Sequence, residues 1–158
     1  MRSCEASVYG DLGSGWRKDA LAAGPIAFLG LGAPAADLAP VEGKYRGLKV
    51  LAVVDQGMEV TVSISPPDVG HVALLYDQSA FRDDGLYALS DGDRAVTFQA
   101  CAEGESPFKR FGVADGPTQF NGGFIVDGPR CVTLEVASSG SLKQISISFG
   151  VGRCGGSS

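Results

Sequence analysis

The stretch TQFNGGFIVDGPRCVTLEV, residues 118–136, has the clearest strand pattern of the chain and decides the predicted fold class. Two apolar runs flank the segment Asp127–Arg130, and each run has the length of one β-strand. Asp-Gly followed by proline is a strong turn signal. The runs GFIV and CVTLEV are therefore predicted to be adjacent antiparallel strands.

The tripeptide Asn121-Gly122-Gly123 interrupts the first run. Asn-Gly is a hairpin dipeptide, but only residues 118–120 precede it as a strand, which makes a short arm. We expect a bulge or bend in which glycine takes a positive φ. A tight hairpin and a ligand-contacting loop are the alternatives.

Alternation of apolar and polar residues continues through the rest of the chain. In MEVTVSIS (58–65), Val60, Val62 and Ile64 are predicted to share one buried face. The turn 55–57 is predicted to join this strand to LKVLAVV (48–54) in a hairpin. Further strands are predicted at GPIAFLG (24–30), HVALLYD (71–77), LYAL (86–89), RAVTFQAC (94–101) and KQISISF (143–149). The segment WRKDALAAG (16–24) is too short and too weakly capped to predict a helix.

These strands predict an all-β fold, a two-sheet antiparallel sandwich of the immunoglobulin-like type with about eight or nine strands. The connections are too short for helical crossovers, so neighbouring strands are expected to be antiparallel. A length of 158 residues suits one domain. We place the sandwich at 16–154, with an N-terminal extension at 1–15 and a disordered tail at 155–158.

Charge and hydropathy exclude several classes of partner. The net charge is -5 and no Lys/Arg cluster occurs, which disfavours nucleic acids and anionic membrane surfaces. The most apolar stretch, 21–40, contains three prolines, so no transmembrane segment is predicted. The N-terminus, MRSCEASVYG, has no apolar core of a signal peptide. We expect either a cytoplasmic protein or a chain that begins after a removed signal peptide.

The four cysteines, Cys4, Cys101, Cys131 and Cys154, are even in number and widely spaced. No CxxC occurs and there is one histidine, so a zinc site is not predicted. Of three possible pairings we favour Cys101–Cys131, which would join two strands, with Cys4–Cys154, which would join the termini. Free thiols in a cytoplasmic protein and a lipid anchor on Cys4 are the alternatives. Disulfides predict a secreted or cell-surface location.

Residues for common catalytic chemistry are sparse. His71 is the single histidine, and no GxSxG motif accompanies it, so neither a serine nor a cysteine nucleophile has an obvious base. A copper site would need histidine and methionine ligands together, and Met58 lies within a predicted strand. The sequence predicts no catalytic residue and no cofactor.

An acidic stretch, DQSAFRDDGLYALSDGDR, is the densest polar cluster. Carboxylates at alternate positions can hold calcium, but the bidentate glutamate of a calcium loop is missing, and Asp-Gly pairs are ordinary in turns. Turns are the favoured interpretation. The calcium candidates are Asp83, Asp84, Asp91 and Asp93, together with Asp77.

Aromatic residues offer a second kind of site. Scattered rings could form a binding platform, although packing in the core or at strand edges is the favoured interpretation. The rings considered are Trp16, Tyr45, Tyr76, Tyr87 and Phe108.

Four motifs together resemble a group of uncharacterised exported β-rich proteins of actinobacteria. They are GPIAFLGL, SDGDRAVTFQAC, the opening stretch TQFNGGFIVDGPRCVTLEV and ISISFGVGRC. The resemblance would cover about residues 16–154. The resemblance implies export and a disulfide-stapled β fold. It implies no reaction and no catalytic residues.

The sequence therefore predicts a non-enzymatic extracellular or cell-surface module with a structural or binding role. Its expected partner is an extracellular protein or a cell-wall polymer. The alternative is a carbohydrate-active or other hydrolase that uses pairs of Asp or Glu side chains.

Overall fold

The computed structural model describes residues 1–113 and 115–154. These residues form an all-β fold with short 3-10 helices, so the predicted fold class is confirmed. The predicted disordered tail at 155–158 lies outside the described residues. The strands are β1 (Leu21–Ala23), β2 (Ile26–Leu29), β3 (Tyr45–Lys49), β4 (Leu51–Val54), β5 (Glu59–Ile64), β6 (Val72–Leu75), β7 (Leu86–Tyr87), β8 (Ala95–Gln99), β9 (Thr118–Phe120), β10 (Gly123–Val126), β11 (Arg130–Ser138) and β12 (Ser141–Phe149). The 3-10 helices are Cys4–Ala6, Trp16–Asp19, Ala35–Leu38, Pro66–Asp68, Gln78–Ala80, Leu89–Asp91 and Lys109–Phe111.

The strands are arranged in three four-stranded sheets. The first sheet has the order β1-β2-β4-β9, the second β6-β10-β3-β7 and the third β12-β11-β5-β8. All pairs between these strands are antiparallel, as predicted. The number of strands, 12, and the number of sheets differ from the predicted eight or nine strands in two sheets. The immunoglobulin-like relationship stays a prediction.

Two segments run from the first sheet into the second, and each is interrupted between its two strands; we call this interrupted region the bend. β3 continues into β4 through Val50, and β9 continues into β10 through Asn121 and Gly122. The two segments stay paired across the bend, where Val50 N–H donates to the carbonyl oxygen of Gly122 at 2.9 Å. The register is unchanged from β4–β9 to β3–β10, so no extra residue is inserted. The strand is interrupted at Asn121 and Gly122, and no bulge is present.

Glycine is required at this bend because neighbouring groups come very close. A Cβ atom at Gly122 would lie 2.3 Å from Cδ1 of Tyr76, and one at Gly123 would lie 1.7 Å from the carbonyl oxygen of Leu48. Neither glycine has a positive φ. The predicted reason, left-handed backbone, is therefore wrong, and close approach takes its place.

The turn at 127–129 does not join adjacent strands. β10 lies in the second sheet, where β3 and β6 occupy both of its edges. β11 lies in the third sheet between β12 and β5. Because no edge of β10 is free, the chain must leave that sheet after the turn. The prediction that GFIV and CVTLEV pair with each other is wrong.

The turn at 55–57 crosses between sheets in the same way. β4 is flanked by β2 and β9, and β5 by β11 and β8. The predicted hairpin between them is therefore wrong. The predicted faces of β5 are correct, because Val60, Val62 and Ile64 are buried while the residues between them are not.

Tight hairpins occur at two other places. β1 and β2 pair across Gly24 and Pro25. β11 and β12 pair across Ser139 and Gly140, which have φ values of 49° and 76°. Two central residues with positive φ match the right-handed twist of the flanking strands.

The main core lies where apolar faces of all three sheets meet. Tyr76 is fully buried, and its ring packs edge-on against Phe98 with centroids 5.1 Å apart. A smaller cluster lies on the opposite face of the second sheet, because Ala73 and Leu75 alternate with the core residue Leu74. The segment that follows β6 covers this smaller cluster with Ala80, Tyr87 and Leu89.

The N-terminal arm, defined here as residues 1–13, pairs with two strands. Arg2 N–H donates to the carbonyl oxygen of Thr97 in β8 at 2.7 Å. Val8 N–H donates to the carbonyl oxygen of Gln119 in β9 at 2.9 Å. These bonds place the arm beside the loop that connects β8 to β9.

The four cysteines form two disulfides, Cys4–Cys101 and Cys131–Cys154. The favoured pairing of Cys101 with Cys131 and of Cys4 with Cys154 is therefore wrong. The arm pairs with β8, which brings Cys4 to Cys101 at the end of that strand, with Cα atoms 4.7 Å apart. Cys131 lies on β11 opposite β12, and the chain after β12 returns to it.

Candidate functional site

A cleft of about 270 Å³ lies between the N-terminal arm and the loop from β8 to β9. We call it the aromatic cleft, because the rings of Tyr9, Trp16 and Phe108 line it. The other lining residues are Ser7, Val8, Gly10, Asp11, Leu12, Gly13, Cys101, Ala102, Ser106, Val113, Asp115, Gly116, Pro117, Thr118 and Gln119.

The rings of the cleft differ in their contacts and exposure. Tyr9 and Phe108 contact each other with centroids 5.9 Å apart and planes 39° apart. Tyr9 is 56% exposed although it is a large aromatic residue. Trp16 is partly buried, and the guanidinium of Arg17 lies 4.5 Å from its ring centroid. Exposed aromatic surface that lines a cleft is typical of a binding site.

Two carboxylates add hydrogen-bond acceptors. Oδ1 of Asp11 accepts from Gly13 N–H at 2.9 Å, and Oδ1 of Asp115 accepts from Gly104 N–H at 3.0 Å. In each case Oδ2 has no partner among residues 1–113 and 115–154. Both carboxylates are thus held in place by one oxygen and have the other available as an acceptor.

The wall formed by the arm is fixed at several points. The Cys4–Cys101 disulfide ties its start to the end of β8. The side-chain amide of Gln119 donates to the carbonyl oxygen of Gly10 at 2.8 Å. Thr118 Oγ1 accepts from Cys101 N–H at 2.8 Å and so joins β9 to the disulfide. The cleft is therefore largely pre-formed.

The predicted aromatic platform is divided by the fold. Trp16 and Phe108 both line the cleft, whereas Tyr76 lies in the main core and Tyr45 and Tyr87 belong to the smaller cluster. Sequence reasoning missed Tyr9, Asp11 and Gln119. The Cys4–Cys101 pairing would have been the clue, because it brings the arm to the β8–β9 loop.

The acidic stretch after β6 contains two 3-10 helices, the short strand β7 and turns. Asp77 Oδ1 accepts from the N–H and hydroxyl of Ser79, and these bonds hold the pKa of Asp77 below its usual range. Asp84 Oδ1 accepts from Leu86 N–H at 3.0 Å. Asp91 Oδ2 accepts from Ala88 N–H at 2.9 Å. Asp93 pairs through its backbone with Leu74. The Asp83 carboxylate makes no hydrogen bond or ion pair with residues 1–113 and 115–154.

No cluster of three or more His, Cys, Asp or Glu side chains suited to a metal ion occurs within the described part of the chain. The calcium candidates Asp83, Asp84, Asp91 and Asp93 are therefore not brought together there.

His71 pairs with an aspartate on the turn after β10. Its Nδ1 lies 2.7 Å from Oδ2 of Asp127, and Oδ1 of Asp127 lies 3.7 Å from Nη1 of Arg130. Asp127 N–H donates to the carbonyl oxygen of His71 at 3.0 Å. These contacts link the start of β6 to the turn that leaves the second sheet, which is a structural role.

A second hollow lies at the smaller apolar cluster, beside Asn121 and Gly122. Asn121 and Gly122 thus line a hollow in addition to forming part of the bend. The alternative interpretation of these residues as a ligand-contacting loop stays a prediction. In residues 1–113 and 115–154, no helix is both long enough and apolar enough to cross a membrane.

The chain matches no family model, and no curated protein or solved structure shows significant similarity to it.

Proposed function

We propose that the protein is an exported binding module of the cell surface, and that the aromatic cleft holds a saccharide unit of a cell-wall polymer. One observation carries the proposal. Tyr9, Trp16 and Phe108 line a cleft together with two carboxylates, each of which has one oxygen free to accept a hydrogen bond from a ligand. A disulfide fixes one wall of this cleft.

The chemistry of the lining favours a saccharide over other ligands. A sugar ring has apolar C–H faces that pack on aromatic rings, and hydroxyl groups that donate to carboxylate oxygens. Asp11 and Asp115 supply such oxygens. No Lys or Arg is found among the lining residues that the structure describes. Arg17 lies over the ring of Trp16, but it pairs with Asp55 at 3.7 Å, and the lining itself carries two carboxylates, so a neutral ligand is favoured over an anionic one.

The cysteines support the proposed location. Two disulfides are consistent with an extracellular protein, because thiols stay reduced in the cytosol. The resemblance to exported actinobacterial proteins supports the same location. Fractionation of cells that produce the protein, with thiol labelling of the untreated material, tests it. Four reactive thiols or a purely cytosolic distribution would contradict the proposal.

Calorimetric titration with soluble wall oligosaccharides, such as an N-acetylglucosamine tetramer, tests the ligand. We expect Tyr9→Ala and Phe108→Ala each to weaken binding by about fivefold or more, since each removes a stacking surface. Phe111→Ala is the matched control, because Phe111 is 67% exposed and does not line the cleft.

Two results would overturn the saccharide proposal. One is equal binding by the wild-type protein and both cleft variants. The other is binding of tetramethylammonium but of no saccharide, because aromatic rings and carboxylates also suit an organic cation.

Hydrolysis is the second candidate function, and the position of Asp11 and Asp115 in one cleft favours it over a reaction at the acidic turns. Two carboxylates beside a bound saccharide could act as acid and base. Release of reducing ends that is lost in Asp11→Asn and Asp115→Asn would support this function. Binding without release would leave the protein a binding module.

A further inference from the structure

We infer that the hollow on the outer face of the second sheet is a separate binding site for an organic carboxylate with an apolar body. We call it the basic hollow. Its volume is about 320 Å³, and its lining residues are Gly47, Leu48, Lys49, Leu75, Phe81, Arg82, Gly85, Tyr87, Asn121 and Gly122.

The apolar part of the lining suits a hydrocarbon body. Leu75 and Tyr87 belong to the smaller apolar cluster and are nearly fully buried. Phe81 is 38% exposed and is one of few large apolar residues on the surface of the described chain. A ligand that covered Phe81 would remove this apolar surface from water.

The polar part of the lining consists of hydrogen-bond donors. Lys49 makes no hydrogen bond or ion pair through its ammonium group with residues 1–113 and 115–154. The hydroxyl oxygen of Tyr87 accepts from Arg82 N–H at 2.8 Å, which leaves the O–H of Tyr87 to donate. The side-chain amide of Asn121 can donate as well.

The charge of the hollow is opposite to that of the protein. The whole chain carries -5, yet Lys49 and Arg82 are the charged residues of the described lining. Asp91 lies outside the lining, with Oδ2 3.5 Å from Nε of Arg82, and neutralises part of that charge. The two Nη groups of Arg82 have no hydrogen-bond partner in the described part of the chain. Two cations and no carboxylate favour a single anionic group.

The volume limits the ligand. Ligand pockets range upward from about 300 Å³, so this hollow accepts a body of one ring or a short alkyl chain. The fitting ligand is therefore a small arylalkyl or alkyl carboxylate.

Titration with 3-phenylpropanoate at low salt tests the site, with 3-phenylpropan-1-ol as the neutral partner of the same shape. We expect the carboxylate to bind at least about threefold more tightly than the alcohol, and added salt to reduce this difference. Chemical-shift changes should fall on β3, β7 and the segment 81–87. Equal affinity for acid and alcohol would overturn the proposal.

Variants separate this site from general acid binding. Lys49→Met and Arg82→Met keep the apolar stem and remove the charge, so each should weaken binding of the carboxylate by about threefold or more. Phe81→Ala should weaken binding of both probes.

Arg110→Met is the control, because Arg110 lies over Phe111 away from the hollow. Unchanged affinity in all three hollow variants, with native melting temperatures, would refute the site. Saccharide binding should be unaffected in every one of them.

Discussion

The hydroxyl group of Tyr76 donates a hydrogen bond of 3.0 Å to the carbonyl oxygen of Val50 inside the core. Val50 is the residue at which β3 passes into β4, and Tyr76 Cδ1 lies against Gly122 on the paired strand. One buried side chain thus satisfies a backbone carbonyl at the bend and fills the space that Gly122 leaves. The bend that joins two sheets depends on Tyr76.

Removal of this hydroxyl should destabilise the protein. Tyr76→Phe leaves the Val50 carbonyl without this side-chain donor, which we expect to lower the free energy of unfolding by about 1–3 kcal/mol. Chemical denaturation at neutral pH measures the change. Tyr9→Phe is the control, since Tyr9 is exposed. Equal stability of the Tyr76 and Tyr9 variants would contradict the proposed role.

The stability of the protein at alkaline pH should also depend on Tyr76. Burial raises the pKa of Tyr76 above its ordinary value of 10.0, so the folded protein keeps the proton while the unfolded chain loses it. The stability contribution is therefore complete below pH 10.0 and falls above it, by about 1.4 kcal/mol per pH unit. Denaturation curves between pH 9 and 11.5 should show this decline. In Tyr76→Phe the decline should be smaller by that amount.

Gly122 should not tolerate a side chain. A Cβ atom there would lie 2.4 Å from the carbonyl oxygen of Leu75 as well as against the ring of Tyr76. We expect Gly122→Ala to cost about 1–3 kcal/mol or more. At Gly70 a Cβ atom would meet no heavy atom within 4 Å, so Gly70→Ala is the matched control. A tolerated Gly122→Ala would show that the bend is looser than described.

The disulfide pairing can be determined directly by mass spectrometry of peptides. Peptide mapping without reduction should recover Cys4 with Cys101 and Cys131 with Cys154. A peptide that joins Cys4 to Cys154 would contradict the structure.

The two bonds should also differ in their effect on stability. Their sequence separations are 97 and 23 residues. Chain entropy then predicts a loss of about 5 kcal/mol for the double serine variant of the first pair and about 3 kcal/mol for the second. Thermal unfolding of the two double variants measures the order. The first should also lose saccharide binding, because the arm forms a wall of the cleft.

Local patterns in the sequence were sufficient to predict most strands and their buried faces. Val60, Val62 and Ile64 alternate with polar residues, and burial follows this period. An irregularity of the strand at Asn121 and Gly122 was also expected from its composition, although its expected cause, a positive φ, is absent. Such features depend on a few neighbouring residues.

Pairing between strands could not be predicted in the same way. The turns at 55–57 and 127–129 have the composition of hairpin turns, but they connect different sheets, because other strands occupy the edges beside them. The pairing of Cys4 with Cys101 depends on the arm lying along β8. The aromatic cleft was missed for that reason, since Tyr9 and Phe108 meet only after this long-range contact forms.

The crossing turns determine how this chain must fold. β5 pairs with β11, which begins more than sixty residues later in the chain, and Val62 lies opposite Val136. Few strand pairs form between neighbours in the sequence. The chain therefore loses conformational entropy before most of the stabilising contacts between strands are made. Folding is expected to be slow for a domain of this size. Until the last strands pair, the incomplete sheets expose unpaired strand edges, which can pair with other chains.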